Sequence, residues 1–144
     1  MSSAPSQTPA FRRTFMQRPI RAIAYGFLIW WIWFGFIGFG RLLPDSVTSA
    51  PSFPSVRLLV LVLLVLFFAV DYVRRIGRGS VAEGVAVGLT WAALLVANDL
   101  GHFLFMEPVD LGGYLTVFAP LYLWVPVATT IVFRGLAARA ERAA

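Results

Sequence analysis

The chain has no cysteine, no lysine and a single histidine, and charged residues fill only 13% of its 144 positions. Without cysteine there are no disulfides, no thiolate metal sites, no thiol redox chemistry and no cysteine nucleophile. One histidine excludes bis-histidine haem ligation within a chain and leaves a metal site short of ligands. The P-loop and the patterns G-x-G-x-x-G, G-x-S-x-G and H-E-x-x-H are missing, and no nucleophile lies beside a base. The expectation is a protein that is not an enzyme and holds no cofactor and no metal. Its twelve basic residues, all arginine, sit at the ends of apolar segments and form no patch, so no nucleic-acid partner is expected.

What is present is apolar. Hydrophobic residues make up 59% of the chain and the mean hydropathy is +0.78, more apolar surface than a soluble domain of this size can hide. Four segments, at about 20–43, 56–74, 81–105 and 115–133, approach the roughly 20 residues that cross a bilayer core. The predicted fold is all-α: a polytopic membrane protein with a bundle of four transmembrane helices over 20–134. A cleaved signal peptide fits poorly, because Ala22–Gly40 outlasts an apolar signal region and no small-x-small site follows. Residues 1–19 read as a mobile and interfacial segment, polar over Met1–Pro9 and alternating apolar residues with arginine from Phe11. Residues 135–144 read as a cytoplasmic tail.

The spans differ in character. The first carries Trp30, Trp31 and Trp33 ahead of alternating Phe and Gly. Leu58–Val70 is almost pure Leu, Val and Phe, making the second span the most lipid-like. In the third, Gly84, Gly88 and Ala92 recur every four residues and share one face, which admits a close helix neighbour. Pro120 and Pro126 predict a kink in the fourth. A Pro/Ser-rich loop at 44–54, a tight turn at 76–79 and an acidic loop at 107–113 connect the spans. Ten of the twelve arginines fall on one side, namely Arg12, Arg13, Arg18 and Arg21, then Arg74, Arg75 and Arg78, then Arg134, Arg139 and Arg142. By the positive-inside rule both termini are cytoplasmic, as an even number of spans requires.

Few polar residues enter the spans. Ser80 and Glu83 have the spacing of a capping box, and that structural role is preferred to a functional one for Glu83. Asp71 follows thirteen uncharged residues. It pairs with Arg74 or Arg75 one turn on or, if it faces the bundle, serves as a proton or cation site. Asn98, Asp99 and His102 share a helical stripe with Leu95 and Trp91 near the extracytoplasmic end of the third span. A carboxylate beside an imidazole suits a proton relay, whereas mutual hydrogen bonding with interfacial water is the structural alternative. Trp91, Tyr122 and Pro126 are candidates for lining a cavity, with packing the alternative.

The pattern Gly84-x-x-x-Gly88-Leu89-x-Trp91, then Asn98-Asp99, Tyr114, Tyr122 and Pro126, together with Tyr25-Gly26-Phe27-Leu28-x-Trp30, resembles small uncharacterised prokaryotic four-span proteins. The resemblance implies an inner or plasma membrane location and carries no activity. Small multidrug transporters are similar in outline only, since their carboxylate within the first span has no counterpart here. Two functions remain. One is an oligomeric proton, cation or small-solute pathway using Asp71, Asp99 and His102, with the Gly84 and Gly88 face packing subunits. The other is a non-catalytic accessory or assembly subunit of a larger membrane complex.

Overall fold

A run of twenty apolar residues in lipid has no water to satisfy its N–H and C=O groups, and the α-helix satisfies them within one segment. The computed structural model describes residues 16, 18–40, 42–49, 52–77, 79–106, 111–117 and 119–142. Four long helices carry the apolar runs: α1 (Pro19–Gly40), α3 (Phe53–Ile76), α4 (Val81–Met106) and α7 (Trp124–Arg142). Short helices α2 (Asp45–Thr48), α5 (Leu111–Val117) and α6 (Ala119–Tyr122) complete the described structure. Four stretches are long and apolar enough to cross a membrane: Pro19–Gly40, Phe53–Ile76, Val81–His102 and the composite Tyr114–Arg139. Most of the interfacial N-terminal segment and Glu107–Asp110 of the acidic loop lie outside the described residues.

Helix ends follow local chemistry. Pro54 occupies the first turn of α3, where its missing N–H costs nothing. Gly77, at φ +77°, closes α3 by donating to the Val73 carbonyl at 3.1 Å. The Ser80 hydroxyl accepts the Glu83 N–H at 3.1 Å and so caps the start of α4. The fourth span is interrupted near its prolines: the α-helix pauses at Leu123, which bonds back to Pro120 at 3.3 Å. Pro126 has no N–H to return to the Tyr122 carbonyl. Beyond it α7 runs on through most of the expected tail, because Leu136–Arg142 consists of strong helix formers.

Packing arranges the long helices in a ring. α4 lies against α1 and α7, and α3 lies against α7 and α1. Consecutive α3 and α4 therefore pack chiefly on the other two helices. Each helix buries one stripe: Ala22, Gly26, Ile29 and Trp33 on α1, Leu61, Val65, Ala69 and Tyr72 on α3, Val87, Trp91 and Leu95 on α4. The second span is the most hydrophobic of the four, as its composition indicated. α1 also leaves large apolar side chains exposed, among them Phe27, Trp31, Ile32 and Phe39. Its inward face sets the small Ala22 and Gly26 beside the large Ile29, Trp30 and Trp33.

Candidate functional site

The site starts from parallel packing of α1 on α4. Gly26 permits it, since a Cβ there would stand 2.5 Å from Leu94 Cδ1 and 3.1 Å from Trp91 Cδ1. At this distance Trp91 Nε1 donates to the Ala22 carbonyl at 2.7 Å and, two turns along both helices, Trp30 Nε1 donates to Asp99 Oδ1 at 2.8 Å. Buried indoles need acceptors, and these two bonds lock the register.

Asp99 is 6% exposed. The Tyr122 hydroxyl, at the end of α6, donates to its other oxygen, Oδ2, and Trp33 Nε1 donates to that hydroxyl at 3.2 Å. The buried Tyr114 side chain from α5 interacts with the same carboxylate. Three segments of the chain thus aim donors at one acceptor-only group, the match an ionised carboxylate needs when removed from water. Tyr122 is the residue next to the interruption at Leu123. Trp30 stands midway along α1, about 16 Å from either end at 1.5 Å per residue. Asp99 is drawn level with the middle of that helix, deeper than the span-end position read from α4 alone.

The neighbouring candidates of α4 take partners of their own, although His102 stays close enough to act electrostatically on Asp99. Asn98 turns its amide back to the Leu94 carbonyl at 2.7 Å, and His102 packs edge-on against Phe34 with ring centroids 4.6 Å apart. Asp71 lies toward the end of the bundle where α1 begins. Arg75, not Arg74, donates to its Oδ2 at 2.7 Å, and the Tyr25 hydroxyl from α1 donates to the same oxygen. Beside it the Tyr72 hydroxyl joins three helices: it accepts the Arg18 N–H at 3.3 Å and faces Glu83 Oε1 at 3.3 Å and the Arg18 carbonyl at 3.4 Å. Between the two carboxylates the core is apolar, with Ile29, Ala69 and Leu95 buried.

One expectation changes. The Gly84 and Gly88 face does not stand free to pack a second subunit, because α7 of the same chain fills it. A Cβ on Gly84 would lie 2.8 Å from Phe133 Cβ; one on Gly88 would meet Thr129 Oγ1 and stand 2.5 Å from Pro126 Cα. Ala92 continues that face half-buried. Trp91 and Tyr122, at 0% and 2% exposure, are buried in the core, and Pro126 abuts Gly88. The residues missed were Trp30, Trp33, Tyr25 and Tyr72. A buried indole N–H must find an acceptor, and Asp99 is the one carboxylate of the third span's far half, so pairing it with a first-span tryptophan was within reach.

No protein-family model, curated protein or solved structure matches this chain. Its chemistry has to be argued from its own geometry.

Proposed function

We propose that the chain is a multi-pass membrane protein with cytoplasmic termini, and that Asp99 is the proton- or cation-binding group of a transport pathway formed by more than one copy. The observation that carries this reading is a buried carboxylate level with the middle of α1, held by hydrogen-bond donors beside the helix interruption at Leu123, whereas Glu83, also buried, sits in the first turn of α4. Ionisable groups are costly inside apolar spans, and interrupted helices at that depth are where transporters gather exposed carbonyls around ions. The apolar core between Asp99 and Asp71 argues for a path along a surface shared between copies. With the α4 glycine face filled, that surface falls to α1, where Trp31 and Phe39 are exposed and a Cβ on Gly35 or Gly38 would meet nothing within 4 Å. The same open face supports a second reading, an accessory subunit docking on a larger membrane partner.

Reconstitution into liposomes enclosing a pH-sensitive dye tests the first reading. The wild-type protein is expected to dissipate an imposed proton, sodium or potassium gradient, Asp99→Asn to abolish this, and Asp71→Asn, whose carboxylate is already matched by Arg75, to retain it. Flux no faster than in empty liposomes, or equal flux from Asp99→Asn, would overturn it in favour of the accessory role.

A further inference from the structure

Where α1 begins, an open cavity of about 710 Å³ lies against α3, within the range of pockets that hold small ligands. One wall is cationic and polar, made by Arg18, Arg21, Tyr25 and Arg75; Pro19 and Ile20 make the other apolar. The charges do not cancel. Arg75 is matched by Asp71, whose carboxylate also takes the Tyr25 hydroxyl, while Arg18 and Arg21 have no ion-pair partner among the described residues. The Nη1 atom of Arg21 is buried and has no hydrogen-bond partner there either. A buried guanidinium donor without an acceptor is unfavourable, so the pocket is missing an anionic oxygen. Ile20, 84% exposed, extends from the cationic mouth along the outside of α1.

We propose that this cavity binds the phosphate of an anionic phospholipid, with Arg18 and Arg21 as the phosphate ligands and the Ile20 side of α1 carrying the first acyl carbons. Guanidinium forks match phosphate oxygens in pairs. The joined cationic and apolar walls suit a headgroup attached to a chain and give a free anion only half a site. The position, at the first residues of a membrane-length helix, is where headgroups lie.

Native mass spectrometry of the full-length protein in detergent, titrated with phosphatidylglycerol or with phosphatidylcholine of the same acyl length, tests this. The wild type is expected to bind phosphatidylglycerol roughly 10- to 30-fold more tightly, the effect of two interfacial cations. The double variant Arg18→Gln/Arg21→Gln is expected to lose that preference with unchanged helix content by circular dichroism. The charge-equivalent control Arg139→Gln/Arg142→Gln, at two exposed positions of α7, keeps it. Millimolar inorganic phosphate should leave binding intact. Equal retention of the two lipids by the wild type overturns the proposal without any variant. So does a preference that survives Arg18→Gln/Arg21→Gln or is lost equally in the control. Full displacement by inorganic phosphate assigns the site to a free anion and overturns the lipid as occupant.

Discussion

Replacing Gly88 by alanine adds one methyl group where the structure has no room for it. The new Cβ would overlap Thr129 Oγ1 and stand 2.5 Å from Pro126 Cα. A backbone atom cannot rotate away, so α7 must shift from α4. Thr129 is itself fixed, fully buried and bonded to the Val125 and Pro126 carbonyls at 3.0 Å each. Overpacking of this kind costs about 1–3 kcal/mol. Alanine returns up to about 1 kcal/mol by its better helix propensity. The net expectation is a loss of about 1–2 kcal/mol. Gly35→Ala and Gly38→Ala isolate the propensity, because a Cβ at either meets nothing within 4 Å; both should be neutral or stabilised by up to about 1 kcal/mol. Reversible SDS titration followed by tryptophan fluorescence reads all three free energies. If Gly88→Ala proves as stable as Gly35→Ala, α7 does not seat on the glycine face and the helix arrangement is wrong.

Three further outcomes follow from other contacts. Trp30→Phe keeps a ring but removes the N–H bound to Asp99, leaving a buried acceptor short of a donor, and should cost about 1–3 kcal/mol in the same titration; an unchanged midpoint would show that this bond does not hold α1 on α4. Gly77→Ala meets no atom yet places a Cβ at φ +77°, so a destabilisation of about 1 kcal/mol is expected from backbone strain alone. The cysteine-free chain suits topology mapping: Ser46→Cys in α2 should react with an impermeant maleimide in intact cells and Arg142→Cys only after permeabilisation, and the reverse pattern would invert the proposed orientation.

Much of the architecture was legible along the chain. Four apolar runs demanded four helices, and their limits were read to within a few residues for the first three, because hydropathy and charge change abruptly at Pro19, Phe53 and Val81. The small face of α4, the pairing of Asp71 with an arginine one turn on, and the serine cap at Ser80 were also local patterns and could be read without knowing any neighbour.

Which face meets which was not legible. In an apolar helix lipid-facing and protein-facing residues are equally hydrophobic, so periodicity loses the contrast it has in water. Leu59, Leu63 and Phe67 are exposed while Leu61 and Val65 are buried, and nothing in their chemistry separates them. The filling of the glycine face by Phe133, Thr129 and Pro126 and the interruption at Leu123 depend on how helices interlock. So does the site. Asp99 could be recognised as costly from its place in the third span, but its donors come from Trp30 in the first and Tyr122 in the fourth. Sequence alone determined the helices and the cost of a charge among them; only their packing decided which distant side chains answer that charge, because shape complementarity brings them together.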